Sequence, residues 1–366
     1  MDGNAAYFSQ YLKDYTPYKK TWNYEDSCVL VGAIDLYEAT GEALYRDFVL
    51  SYLSRFVKED GSIPNFDLKA WSIDNVAPGR ALFFALDETG DDRYQKAIRF
   101  HEERLSAHPR CACGNFWHKE IYPDQVWLDG LYMAQPFRAL YAARYRDGAV
   151  ADDIVRQFEN VRRLLYCEEK CLYYHACDTA KAQFWADPET GCSPNFWLRS
   201  MGWYLMALID CADFLGEAFS ARRAVLAGLL QEAVNGILRF QDRETGLFYQ
   251  VIDRAEAPGN YLETSGSAMV LYAILKGCRL GVLDGELRDG ALTALENLRD
   301  KYLHRDEAGR WHLGGICKVA GLGPANKPER DGSVRYYLSE PVVEDDAKGT
   351  GPYMMAVSEQ YRLSSS

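Results

Sequence analysis

The chain has no CxxC pair, no HxxxH spacing, no basic leader and no apolar run of membrane-spanning length, and only 6 of its 366 residues are histidine. Each shortage excludes something. Cys111, Cys113 and His118 lie close together but match no standard zinc pattern, so no metal is expected, nor any organic cofactor. The opening MDGNAAYFSQYLKDY is not a secretory leader, and the ten cysteines scattered from Cys28 to Cys317 read as reduced, mostly buried thiols of a cytoplasmic protein. Positive charge is also short. With 41 Lys and Arg against 53 Asp and Glu, the net charge of -12 argues against nucleic acid, an anionic membrane or a long polyanion as partner. A small anion held by one or two local basic groups is compatible with it.

Apolar and aromatic residues are plentiful, at 48% hydrophobic with 25 Tyr and 8 Trp. No stretch has linker composition, so residues 1–366 are read as one domain. The periodicity repeats as pairs, an apolar helix followed by a short Gly or Asp turn and then a more charged amphipathic helix. Five pairs are Glu25–Thr40 with Glu42–Val57, Val76–Thr89 with Asp91–Leu105, Val126–Arg146 with Ala151–Tyr166, Asn195–Leu215 with Phe219–Gln241, and Glu263–Leu280 with Asp284–Leu303. Val343–Tyr361 has no partner after it and Asn4–Tyr15 none before it, and pairing these two closes a ring. The expected fold is all-α, an (α/α)6 toroid. Its long loops all precede inner helices and share one face, with short β-hairpins in them at Leu172–His175 and Leu247–Ile252.

Those loops and the helix starts they feed hold the residues with chemistry. Asp129 is the lone acid in VWLDGLYMAQPF. Burying a carboxylate without a partner is costly and raises its pKa towards that of a general acid; an aspartate at a helix start also serves as a cap. Asp74, in WSIDNVAPGR, is a second carboxylate at an inner-helix start, and paired carboxylates are the usual equipment for glycosidic bond cleavage. His175 in LYYHACD and His118 in FWHK are donors or structural imidazoles. Arg199 and Trp203 in NFWLRSMGWYL share a helix face one turn apart, a cation and an indole suited to an acidic sugar, or an arginine paired with a core acid. The charged segment DGSVRYYLSEPVVEDDAKGTGPY, from Asp331 to Tyr353, has the composition of a solvated face.

Taken together, FWHKEIYPDQVWLDGLYMAQPF, the YH pair at Tyr174-His175, ETSGSAM at Glu263–Met269, YYLSEPVVE and DAKGTGP resemble the unsaturated glucuronyl and rhamnogalacturonyl hydrolases, specifically glycoside hydrolase family 105. The likeness runs from about Trp22 to Pro352, through separated motifs in the family's order. It implies Asp129 as the catalytic acid and base, with Asp74, Trp22, Tyr24, His118, Trp127, His175, Arg199 and Trp203 binding substrate, the segment Asp331–Tyr353 as a loop that finishes the pocket rather than a solvated face, and no metal or organic cofactor. It implies a small anionic disaccharide as substrate, an unsaturated galacturonyl-rhamnose from rhamnogalacturonan I, with unsaturated glucuronides as the near competitor. An inverting glycosidase or sugar epimerase on the same fold is the reading from another class.

Overall fold

Polar caps and left-handed glycines divide the chain where the periodicity predicts. In the computed structural model, which describes residues 3–364, helix α1 (Gly3–Asp14) is followed by α2 (Tyr24–Thr40) and α3 (Ala43–Phe56). Asn23 caps α2 by accepting the Asp26 N–H, and Gly41, at φ 71°, ends the helix by returning its N–H to Tyr37. Gly90, at φ 66°, ends α4 (Arg80–Thr89) in the same way before α5 (Asp92–Ser106). Then come α6 (Leu128–Tyr145), α7 (Gly148–Leu165), α8 (Leu198–Leu215), α9 (Ser220–Leu238), α10 (Thr264–Arg279), α11 (Leu287–Tyr302), the short α12 (Val334–Ser339) and α13 (Ala347–Ser364).

The apolar members α2, α4, α6, α8, α10 and α13 pack in that order around an inner ring, and α13 packs back on α2. The outer members α1, α3, α5, α7, α9 and α11 cover them. α7 shows why: Val150, Ile154, Phe158, Val161 and Leu165 make one buried stripe, whereas α8 is buried almost all round. The fold is the (α/α)6 toroid. One inner element departs from the expected regular helix, since residues Ile73–Gly79 form a 3-10 turn before α4. Pro78 supplies no N–H to the ladder there, and the chain tightens to i→i+3 bonding such as Asn75 N–H to Ser72 O.

The strands form four two-stranded antiparallel pairs, all in loops that lead into inner helices: β1 (Gln125–Trp127) with β4 (Ala176–Asp178), β2 (Tyr166–Cys167) with β3 (Leu172–Tyr173), β5 (Leu303–Arg305) with β6 (Trp311–Leu313), and β7 (Ile316–Cys317) with β8 (Val342–Val343). The strand expected at Leu247–Ile252 is reduced to single bridges, Tyr249 to Leu262 and Trp197 to Val251. That segment follows the loop it lines without a hairpin partner of its own.

Two features hold the ring. Asp210 on α8 accepts from Arg80 of α4 at 2.7 Å and from Tyr272 and Lys276 of α10 at 2.7 and 2.8 Å, all buried, so the carboxylate ties its own helix to two other inner helices. At the seam, α2 and α13 meet through glycines: a Cβ on Gly351 would lie 2.2 Å from the Cys28 carbonyl oxygen, and one on Gly32 would lie 2.8 Å from the Gly351 oxygen. Gly351→Ala is therefore expected to destabilise the protein by about 3 kcal/mol, the upper end of ordinary overpacking, because the obstacle is backbone. Gly228→Ala, on exposed α9 with nothing within 4 Å, should instead stabilise by up to about 1 kcal/mol. Urea denaturation of both variants checks the opposite signs.

Candidate active site

β1 and β4 build the centre of the loop face. Their register sets Trp127 against Ala176, and the Leu128 N–H donates to the His175 carbonyl at 3.1 Å, so the first turn of α6 is fastened to the histidine's own backbone. Asp129 is in that first turn. It is not a cap, because α6 has no side-chain cap at all. Its Oδ2 instead approaches His175 Nε2 at 3.3 Å without completing a hydrogen bond, and both atoms are buried with no other partner. His175 is fully buried, and its Nδ1 shares a 2.8 Å hydrogen bond with the Tyr337 hydroxyl. Burial keeps the Tyr337 phenol protonated by raising its pKa far above the ordinary value, and its hydroxyl holds Nδ1 while Nε2 faces Asp129.

Asp74 lives in a different environment. From the 3-10 turn it meets Lys119 Nζ at 2.5 Å and His118 Nε2 at 3.5 Å. Burial alone would raise its pKa, but the Lys119 ammonium and then His118 outweigh that and hold the carboxyl below the usual range. The same pair raises Lys119 against its own desolvation. Burial pushes His118 down to about 4 despite Asp74 beside it, so the ring is neutral at ordinary pH. Among the described residues the one ion-pair partner within 4 Å of Asp129 is His175, and Lys and Arg are absent from that shell. Two carboxylates thus sit at one mouth, Asp74 buried and neutralised by a lysine and Asp129 half-buried and facing an imidazole.

Aromatic rings wall the space between them. His118 stacks on Trp127 at 4.7 Å and 5°, Trp127 meets the His175 ring edge-on at 5.0 Å, and His175 leans on Trp197 at 4.8 Å. Gly130 makes this closeness affordable to the backbone, since a Cβ there would sit 2.6 Å from Ile73 and 3.2 Å from His118 Nδ1. On the far side Arg199, 1% exposed, lies 4.9 Å over the Trp197 ring and donates to Ser265 Oγ at 3.1 Å and the Cys317 carbonyl at 2.5 Å. Glu263 holds that corner by capping α10 through the Ser265 and Gly266 N–H groups and accepting the Cys317 N–H at 2.9 Å. Lys348 pairs with Asp346 at 2.8 Å, yet burial and the nearby Arg199 charge still lower its pKa.

The structure therefore brings Asp129, His175, Trp127, His118 and Asp74 into one continuous set of contacts, with Arg199 joined to it through Trp197. Tyr24 lies within electrostatic reach of Asp74 and Arg199, with Lys19 Nζ 5.8 Å from its ring. Two expected substrate contacts fall elsewhere. Trp22 is no entrance wall: it is 2% exposed, packs on Phe56 and His101 of the outer helices, and gives its indole N–H to the Asn75 carbonyl at 2.9 Å, which steadies the turn carrying Asp74. Trp203 stacks on Tyr132 at 4.8 Å, between α8 and α6. Lys119 and Trp197 join the site and escape the motif-by-motif reading, while Tyr337 comes from the segment expected to finish the pocket without being singled out in it. Lys119 and Trp197 each adjoin or nearly adjoin a candidate, but Tyr337 is 162 residues from the histidine it touches.

A cavity of about 510 Å³ opens at the opposite end of the ring. There Lys276 pairs with Asp213 at 3.0 Å and Arg362 with Glu38 at 2.9 Å, while burial raises the Asp35 carboxyl to about 7 and its Oδ2 has no hydrogen-bond partner among the described residues.

A family model described as Glycosyl Hydrolase Family 88 matches residues 4–364. Protein Atu3128 of Agrobacterium fabrum (strain C58 / ATCC 33970) is 41% identical over 235 residues, 63% of this chain and 99% of that protein. The unsaturated rhamnogalacturonyl hydrolase YesR of Bacillus subtilis (strain 168) is 28% identical over 265 residues, 71% of this chain and 72% of its own. Among solved structures, a C. acetobutylicum ATCC 824 glycoside hydrolase from family 105 superposes with a TM-score of 0.91 at 39% identity, covering 98% of this chain and 99% of that one. The unsaturated glucuronyl hydrolase of Bacillus sp. GL1 shares the fold at 16% identity, with a TM-score of 0.70 over 97% of this chain and 95% of its own. The chain belongs to Glycosyl Hydrolase Family 88 and is a glycoside hydrolase of the family 88 and family 105 type.

Proposed function

We propose that this enzyme hydrates the C4–C5 double bond of an unsaturated uronic acid at the non-reducing end of a small saccharide, and that the substrate is unsaturated galacturonyl-rhamnose. The observation that carries the reading is the pairing of Asp129 with His175 while Lys119 claims Asp74. A group that must give up and take back one proton cannot be locked as an anion by a cation. Asp74 is locked in that way and Asp129 is not. A paired-carboxylate hydrolysis of a saturated sugar would need Asp74 free as base or nucleophile.

In the proposed sequence the Asp129 carboxyl delivers a proton to C4 of the enol ether, positive charge develops at C5, and water adds there as the Asp129 carboxylate takes its proton. The resulting hemiketal opens and releases the neighbouring sugar. His175, held by Tyr337, keeps Asp129 oriented and answers its changing charge. Arg199 and Lys348, two cations close enough for one to lower the other's pKa, suit the substrate carboxylate, while Trp127 and Trp197 flank the ring. The 28% identity to the unsaturated rhamnogalacturonyl hydrolase supports the choice of sugar.

The test follows loss of the unsaturated uronate's ultraviolet absorbance with disaccharide made by rhamnogalacturonan lyase. Wild type should bleach it and release rhamnose, whereas Asp129→Asn should lose activity by about 1,000-fold or more while still binding. Bleaching by Asp129→Asn at the wild-type rate, or cleavage of saturated disaccharide alone, sinks the mechanism. Tyr337→Phe leaves His175 Nδ1 without its partner and should lower kcat by about 10- to 100-fold with little change in KM, and shift the pH profile of kcat. A variant with unchanged kcat and profile would reduce Tyr337 to packing.

A further inference from the structure

Cys177 and Cys192 face each other across an antiparallel bridge. The hydrogen bonds on either side, Asp178 N–H to Gly191 O and Ser193 N–H to Ala176 O, both 2.9 Å, make this the position between ladder bonds. Opposed residues there have their α-carbons about 4.5 Å apart and their side chains at their closest, inside the range of about 4.4 to 6.8 Å that a disulfide spans. The two thiols are free and 1% and 5% exposed, Cys177 donating to the Thr190 carbonyl at 3.6 Å and Cys192 to the Leu164 carbonyl at 3.1 Å. Nothing in the reaction proposed above uses them. Their location has consequences, because Cys177 pairs with Val126 on its other side. It thus sits in the ribbon that fixes Asp129, two residues after His175. The loop between the cysteines carries Trp185, which belongs to the same buried apolar cluster as Trp127.

We propose that Cys177 and Cys192 are a redox modification site, a dithiol that closes to a disulfide by exchange with a low-molecular-weight disulfide and locks the loop 178–191 against the β1–β4 ribbon. Cys192 attacks first, because the neighbouring Cys177 thiol lowers its pKa and favours its thiolate. Its thiolate displaces one thiolate from the small disulfide, forming a mixed disulfide. Cys177, giving up its proton, then attacks the Cys192 sulfur and expels the second. The protein loses two electrons and two protons, and the external disulfide leaves as two thiols. Cross-strand disulfides at such close-set positions carry strain, so mild thiol reductant reverses the bond. Residues 180–182 and 187–190 of the loop above the pair are exposed, which gives the reagent its approach.

The experiment treats the full-length native protein with oxidised glutathione, alkylates the remaining thiols without unfolding and then after unfolding, and maps disulfide-linked peptides by mass spectrometry. The expected result is a Cys177–Cys192 linked peptide that disappears with reduced glutathione, and tryptic cutting after Lys181 slowed several-fold in the oxidised form. Cys192→Ala and Cys177→Ala should each abolish the linkage while retaining the native circular dichroism spectrum. The proposal is overturned if both cysteines stay alkylatable after the half-buried Cys113 has reacted, or if the linked peptide joins Cys111 to Cys113 instead. These readouts are chemical and independent of which sugar the enzyme cleaves.

Discussion

The contact on which this architecture depends is the glycine seam between α2 and α13. Only there do the first and last inner helices meet, and Gly32 and Gly351 let their backbones approach closely enough that any side chain would collide. Closure does more than complete a ring. It carries the two ends of the chain to the same mouth, so that Lys348 Nζ lies 3.2 Å from the Tyr18 hydroxyl, which itself donates to Asp346 at 3.2 Å. Tyr7 likewise joins Asp345 at 2.9 Å across 338 residues. An open solenoid of the same helix pairs would leave the cationic corner of Arg199 and Lys348 unassembled. The energy of the seam is ordinary close packing, but its geometric effect is to make one pocket from residues at both ends of the sequence.

Within that frame, the difference between the two carboxylates is made by what each loop delivers. The segment before α6 supplies Lys119 and His118 to Asp74, whereas the segment before α8 supplies only His175 to Asp129. Both acids are at starts of inner elements, where free N–H groups favour negative charge alike. Position along a helix therefore does not separate their roles. The side chains brought from other loops do, and they do so by deciding whether a buried negative charge is compensated.

This division also explains what could be read from the amino-acid order. The helix pairs and the face they share were legible because burial imposes a 3.6-residue period on each segment independently, and Gly41 and Gly90 mark turns in their own right. Asp129, His118, His175 and Arg199 were legible because a polar group in an apolar run is conspicuous locally. Trp22 misled for the same reason, since an indole beside a loop looks alike whether it faces a sugar or, as here, His101 and Phe56. Tyr337 lay in a charged segment whose local composition resembles a solvated surface, and its partner is set by tertiary closure. The second inner helix's 3-10 entry follows from Pro78, a signal present in the sequence but subordinate there to the apolar period.

The cost of such a site is visible in its unsatisfied atoms. Buried polar atoms usually find partners, and each one that does not costs about 1–3 kcal/mol. Asp129 Oδ2, His175 Nε2 and His118 Nδ1 all lack one, and all three belong to the same cluster of touching rings and acids. Packing alone would favour apolar residues at these positions. Where Leu128, Gly130 and the β1–β4 ribbon hold the backbone, this deficit is sustained by surrounding structure rather than relieved by rearrangement. Rigid support keeps Asp129 Oδ2 and His175 Nε2 facing each other at 3.3 Å with their bonding capacity unspent, and capacity of that kind is what a reacting molecule can use.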